Sequence, residues 1–212
     1  VPIIWNEHGS ISTVDFVKLN TGTSRVGGIS GINSDSTLGC GMYTTNSSKA
    51  IVWNIKPNSV CTVNSTQFDI PIHATASYLN NFSHSDKLII GGYKDINGND
   101  IPVVWNANDG TINKANSSFK LPQGANSAMA FAYSPDDTLI CGTSLNAPIV
   151  WNSDGSIKLF NFTVPKNATN GASIYGFISI KNSTNYLFIG KYSSIDMEYP
   201  IIWNMDGSIY LS

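Results

Sequence analysis

The sequence predicts an all-β protein, a β-propeller with four complete four-stranded blades and a half blade at the N-terminus. Three observations carry this. The dipeptide Trp-Asn recurs five times, with Trp5, Trp53, Trp105, Trp151 and Trp203 spaced by 48, 52, 46 and 52 residues. Short apolar runs bounded by Gly, Asn, Asp and Pro fill the chain, and no stretch sustains a 3.6-residue period. Asn, Ser, Thr and Gly supply most of the polarity; the first three compete with helical backbone for hydrogen bonds.

Each repeat resolves into four elements. The Trp-Asn text reads PIIWNEHGSISTV, AIVWNIKPNSVCTV, PVVWNANDGTINKA, PIVWNSDGSIKLF and PIIWNMDGSIYL, a third strand running through a turn into a fourth. Upstream of the last four lie TLGCGMY, KLIIGGY, TLICGTS and YLFIGKY as second strands. GGISGINSDS, TASYLNNFSHSD, SAMAFAYSPDD and SIYGFISIKNST precede those as first strands and turns. In residues 126–160 the strands fall at Ala128–Tyr133, Leu139–Thr143, Pro148–Trp151 and Ser156–Phe160. The Asp-Gly hairpins supply the positive-φ positions such turns need. A lone blade cannot bury both its faces, whereas stacked blades can, so consecutive apolar residues such as Ile-Val-Trp fit a strand sandwiched between neighbours.

The whole chain, 1–212, reads as one propeller domain: a half blade at 1–14 and full blades at 25–63, 74–115, 126–160 and 172–211. The half blade has third and fourth strands only. The expectation is a ring of at least five blades, completed by about 25 residues upstream of Val1 or by a segment of a partner chain, since unpaired inner edges are costly. The chain starts at Val1 with no signal peptide visible, which reads as a processed or partial chain.

The [P/A]-[I/V]-[I/V]-W-N run, its D-G turn and the preceding x-L-x-x-G-x-x strand resemble the extracellular HAF-type repeat of bacterial proteins. The turn Ser134–Leu139 also resembles those of WD- and YVTN-type propeller repeats. The His-Ala-Phe triplet that names the HAF family is missing here. The resemblance implies an exported repeat protein and carries over no catalytic residue.

Composition narrows function. Apolar residues make up 42% of the 212, enough for a packed core, while charged residues are only 12%. A net charge of −2 and a single arginine, Arg25, argue against nucleic acid as partner. No apolar run approaches the ~20 residues that span a bilayer, so no membrane insertion is expected. The neutral polar composition and the resemblance point to a protein outside the cell or on a cell or particle surface, with cytosolic residence as the alternative. Seven Asn-x-Ser/Thr sequons are compatible with glycosylation, and the abundance of these residues accounts for them as well.

Specific chemistry is sparse. The five tryptophans either fill the core between blades, with each following Asn capping its hairpin, or stack sugars; apolar flanks favour the core. Asp35, Asp86 and Asp136 recur at matching positions in the turns after the first strands, as turn formers or as a ligand-binding rim. His8, His73 and His84 are isolated, and Asp95–Asp100 begins like a calcium loop but lacks its later ligands, so no metal site is expected. No cofactor-binding or nucleophile motif appears. Cys40 and Cys141 occupy equivalent second-strand positions and are expected to be buried and unpaired, and Cys61 falls on an outer strand that could meet another chain. The functional expectation is a non-catalytic binding or structural module that recognises a glycan or protein through loops at one propeller end. The alternative is a polysaccharide-active hydrolase with carboxylates near the central channel.

Overall fold

The computed structural model describes strands at Ile4–Trp5 and Ile11–Thr13, then residues 25–56, 61–159, 161–180 and 185–211; side chains are described from residue 28 onward. All elements in the described residues are strands, and none of these residues is helical. Strands β1 (Ile4–Trp5) and β2 (Ile11–Thr13) form a two-stranded sheet. Next come β3 (Arg25–Ile32), β4 (Leu38–Thr44), β5 (Ser48–Asn54) and β6 (Thr62–Ser65), paired in that order. A three-stranded sheet follows, of β7 (Ala76–Phe82), β8 (Leu88–Lys94) and β9 (Asp100–Asn106). Two further four-stranded sheets comprise β10 (Ala128–Tyr133), β11 (Leu139–Ser144), β12 (Ala147–Asn152) and β13 (Ile157–Leu159), then β14 (Ala172–Ser179), β15 (Tyr186–Ser193), β16 (Glu198–Trp203) and β17 (Ile209–Leu211). Every pairing is between sequence neighbours and antiparallel.

One sheet departs from the expected four strands. Residues 74–115 hold three, and the fourth is reduced to a single bridge between Trp105 and Ile112. Asn113 still donates its N–H to the Val104 carbonyl, but a turn over 113–116 then takes the backbone away. The Ser117 hydroxyl replaces the ladder there, accepting from Val104 N–H and donating to Val104 O, both at 3.0 Å.

The core lies between sheets, as a propeller requires. Cys40, Ala50 and Val52 pack on Leu79, Ile89, Val103 and Trp105 of the next sheet. Ile90 and Val104 pack on Ala130, Ile140, Ile149 and Trp151. Cys141 and Val150 pack on Ile174, Phe188, Ile201 and Trp203. The middle strands therefore bury both faces, which is why Ile-Val-Trp is apolar at three consecutive positions. Trp53, Trp105, Trp151 and Trp203 are fully buried, which favours core over sugar platform; the side chain of Trp5 lies outside the described residues. Cys40, Cys61 and Cys141 are buried and form no disulfide. Cys61 stands just before β6 and is fully buried.

A linker motif ties consecutive sheets together. Phe68, Phe119 and Phe162 meet Trp105, Trp151 and Trp203 edge to face, with centroids 5.9, 5.2 and 5.6 Å apart. The residue after each Phe is pinned at both backbone groups. Asp69, Lys120 and Thr163 donate N–H to the carbonyls of Gly110, Gly155 and Gly207 in the next hairpin. Their own carbonyls accept the indole N–H of Trp105, Trp151 and Trp203 at 2.9, 2.7 and 2.7 Å. These three tryptophans thus satisfy their polar atoms while filling the core.

Candidate functional site

Hydrogen bonds define the two ends of the propeller. At the first end, the turns that follow first strands meet the hairpins that follow third strands: Ile55, Ala107 and Ser153 donate to the carbonyls of Thr37, Lys87 and Thr138. At the second end lie the turns between second and third strands, 45–47, 95–99, 145–146 and 194–197. The starts of the next first strands reach these turns, as when Thr75 Oγ1 donates to Asp95 O and Ala172 N–H to Asn146 O.

The three aspartates expected at a ligand rim lie at the first end. Asp35 and Asp136 take the third turn position, and each caps its own turn. Asp35 Oδ1 accepts from Asn33 Nδ2, Thr37 N–H and Thr37 Oγ1; Asp136 Oδ1 accepts from Ser134 Oγ, Thr138 N–H and Thr138 Oγ1. Desolvation pushes Asp136 up, but bonds from Ser134, Tyr186 and Thr138 outweigh it and hold the carboxyl at about 2. Asp86 is one position further on. It shares the fourth, positive-φ place with Ser36 and Asp137, so the three acids are not equivalent. From that place the carboxylate reaches the preceding sheet's turn: Asp86 accepts from Ser34 N–H and Oγ, and Asp137 accepts from His84 N–H (2.6 Å) and Ser85 N–H (2.9 Å). These hydrogen bonds give the carboxylates a structural task.

The Asn of each Trp-Asn pair and the Asp of each Asp-Gly turn share a hydroxyl. Asn106, Asn152 and Asn204 donate to Thr111, Ser156 and Ser208, whose hydroxyls donate on to Asp109, Asp154 and Asp206. Those side-chain bonds, followed by the backbone N–H bonds of the same residues, lower the three carboxyls. Asp95, of the calcium-like loop, accepts from the N–H groups of Asn97 and Asn99 and from Asn99 Nδ2, which makes it a hairpin cap. The described residues contain no group of three His, Cys, Asp or Glu able to hold a metal. No helix among them is long and apolar enough to cross a membrane.

The second end has a different surface. Ile72, Ile96, Leu145, Ile195 and Met197 are 92, 72, 60, 80 and 60% exposed, and they stand on four separate segments around this end. Each segment is built rather than loose. Ile96 sits in the Asp95-capped hairpin, Ser194 N–H donates to Met197 O, and Ala74 N–H closes the turn holding Ile72 through Pro71 O. Leu145 and Asn146 form a two-residue hairpin with φ of 52° and 58°, a conformation that suits Asn and Gly and strains Leu.

Inside this ring a cleft of 460 Å³ opens toward the axis, lined among others by Met42, Tyr78, Lys94, Asp100, Met129 and Phe131. Bulges shape it. Each first strand inserts an extra residue against its second strand, at Ser30, Asn80, Phe131 and Tyr175, and β3 inserts another at Gly27. Phe131 and Tyr175 meet with centroids 5.1 Å apart, and Asn80 Nδ2 donates across to Ala130 O. Asp100 accepts from Tyr78 Oη at 3.1 Å and Lys94 Nζ at 2.9 Å. Burial, with the Asp100 charge beside it, pushes the Tyr78 phenol far up, so it stays a neutral donor. Lys191 pairs with Glu198 and lies 5.7 Å from the Tyr175 ring centre. The cleft therefore combines apolar and aromatic walls with paired charges.

No family model matches the chain, and no curated relative matches it. Among solved structures the chain is similar to one assigned to a TolB from Agrobacterium tumefaciens, a β-propeller protein, with 16% identity and a TM-score of 0.60. The match covers 94% of this chain and 68% of that one. At this identity the likeness shows the fold, and the chain is an all-β propeller repeat protein.

Sequence reasoning missed both the linker motif and the apolar ring. The first had a legible signal, the repeat F-x-[I/L/V]-P-x-x-A at 68–74, 119–125 and 162–168. The second had none, because exposure of an isoleucine in a turn depends on how far that turn projects from its neighbours.

Proposed function

We propose that this protein is a non-catalytic binding module, exported or displayed on a surface, which recognises a protein ligand through the second end of the propeller. The single observation that carries this reading is the set of five large apolar side chains on four well-built turns of one end. Soluble proteins seldom gather such groups at one site without a partner. The axial cleft behind them supplies the concavity, with Met and aromatic walls suited to a buried anchor. Kinship with HAF-type exported repeats belongs to the same proposal and rests on the Trp-Asn text. Protein is favoured over glycan because the four described repeat indoles, of Trp53, Trp105, Trp151 and Trp203, are inside the core. A hydrolase needs a carboxyl raised toward neutrality, whereas every described carboxyl with a resolved shift is lowered.

The test is affinity capture from surface extracts of the source cells, beside a glycan array and a polysaccharide hydrolysis screen. Wild type should retain a discrete protein that the triple variant Ile96→Ser, Leu145→Asn, Ile195→Ser loses while keeping its circular dichroism spectrum. Glycan binding untouched by the triple variant, or hydrolysis, would overturn the reading.

A further inference from the structure

The polar groups of the axial cleft form a definite hydrogen-bonding pattern. Among the described residues, Met42, Met129 and Phe131 give the cleft apolar walls, and the β7–β9 sheet supplies Tyr78, Asn80, Lys94 and Asp100. Asn80 commits Nδ2 to the Ala130 carbonyl, which leaves its Oδ1 as an acceptor. Tyr78 commits its proton to Asp100, which leaves the phenol oxygen as an acceptor too. Asp100 accepts from Tyr78 at one oxygen and from Lys94 at the other, and a carboxylate has room for about four such bonds. Lys94 is the counterpart, an ammonium with further N–H groups beyond the one given to Asp100. Ser30 and Ser48 also line the cleft, and their hydroxyls donate and accept alike. Acceptors therefore outnumber donors.

Charge narrows the occupant further. The Lys94 and Asp100 side chains are 43% and 16% exposed, so the carboxylate is the more deeply set of a pair that is already neutral. An incoming cation would meet Lys94 and an incoming anion would meet Asp100, and either would lose its water against a like charge. A neutral group with more donors than acceptors avoids both costs. A primary carboxamide has that composition, with two N–H donors and one carbonyl. A main-chain amide has a single N–H and brings flanking backbone with it. Among protein side chains only asparagine and glutamine carry a primary carboxamide, on a methylene stem that suits the methionine and phenylalanine walls.

We propose that the axial cleft receives an asparagine or glutamine side chain of the protein ligand, with its amide N–H groups bound by Asp100 and Asn80 and its carbonyl by Lys94. The assignment rests on the reading of the second end as the binding end and names the group that enters there. The apolar ring supplies contact area around the cleft, and the Lys94–Asp100 pair supplies selection against charged groups.

Methionine methyl resonances read the cleft directly. Of the four methionines, Met42 and Met129 line it, Met197 stands on the surrounding ring and Met205 lies in a hairpin of the opposite end. Protein labelled with 13C at the methionine methyls is titrated with butyramide, N-methylbutyramide, butylammonium and butyrate, which share a stem and differ in the polar head. Butyramide should shift Met42 and Met129 and leave Met205 in place, and the other three should bind more weakly by on the order of 10-fold. Lys94→Met should change the order, because Asp100 then lacks its cation: butylammonium should bind more tightly than butyramide. Lys94 stands partly in solvent, and an unshifted Met205 signal with an unchanged melting temperature shows that the variant is folded. Equal affinity for all four heads, preference of the wild type for either ion, or shifts that spare Met42 and Met129 would overturn the proposal. So would the wild-type order persisting in Lys94→Met. The triple variant Ile96→Ser, Leu145→Asn, Ile195→Ser keeps the cleft residues and should bind butyramide as wild type does. Ligand capture that survives the triple variant overturns the second-end reading, whereas lost capture without a butyramide preference overturns only the cleft assignment.

Discussion

Gly142 and Trp151 are fitted to one another: a Cβ placed on Gly142 would lie 2.8 Å from Cζ3 of the indole and 2.0 Å from the carbonyl oxygen of Met129. The same crowding recurs at Gly41, Gly91 and Gly190, each facing a first-strand carbonyl at 2.0, 2.2 and 1.9 Å. The cause is the bulge in the first strand, which follows this pairing immediately and drives the backbone toward the second strand. The glycine of the repeated second strand is therefore the counterpart of the bulge that lines the axial cleft. Gly142→Ala should lower stability by at least about 1–3 kcal/mol, the usual cost of overpacking. An unchanged urea midpoint would contradict this fit.

The indole N–H of Trp151 separates two roles of that side chain. Trp151→Ala removes core volume and should cost ~3–5 kcal/mol. Trp151→Phe keeps an aromatic ring against Phe119 but leaves the Lys120 carbonyl without its indole donor. It should cost about 1–3 kcal/mol, including some loss of volume. Chemical denaturation of both variants should show the graded order, Ala worse than Phe.

Leu145 holds a left-handed conformation in a two-residue hairpin while its side chain stands in solvent. Leu145→Asn should stabilise the protein by roughly 1 kcal/mol, since Asn tolerates this backbone and Leu does not. The melting temperature should rise as capture of the protein ligand weakens. Strain retained at an exposed apolar turn is the pattern expected where function selects the residue.

Asp136 governs part of the acid response. Its carboxyl lies at about 2 in the folded chain against about 3.9 when unfolded. The folded value is depressed, so its contribution is present above pH ~4 and disappears as pH falls toward ~2. Asp35, Asp95, Asp109, Asp154 and Asp206 are lowered too, through hydrogen bonds in their own turns. Asp136→Asn should leave a shallower loss of stability between pH 4 and pH 2 than wild type, measured by urea titration at each pH. A steeper loss in the variant would contradict the assignment.

The repeat text made the fold legible, because Trp-Asn at near-constant spacing marks the same strand each time and its apolar neighbours mark two buried faces. The strands of residues 126–160 lie within two residues of their expected bounds, ending at Leu159 in the described part. Asp86 misled because acids were matched to acids. The turns align instead on the positive-φ position, where Ser36, Asp86 and Asp137 stand. The missing fourth strand after β9 was illegible for a related reason: Ser117 satisfies Val104 through a side chain, which strand periodicity does not record. The proposed binding face was least legible. Ile96 and Ile195 read as ordinary apolar residues between strands until the turns that lift them are seen.

Site-specific photo-crosslinking tests the second end as the binding face most directly. A benzophenone side chain is placed at position 96 or 195 on that end, or at position 84 on the first end, and each protein is irradiated in a surface extract of the source cells. A discrete crosslinked protein at positions 96 and 195, absent at 84, is the predicted result. A crosslink at 84 with none at 96 or 195 would contradict it and move the binding face to the opposite end.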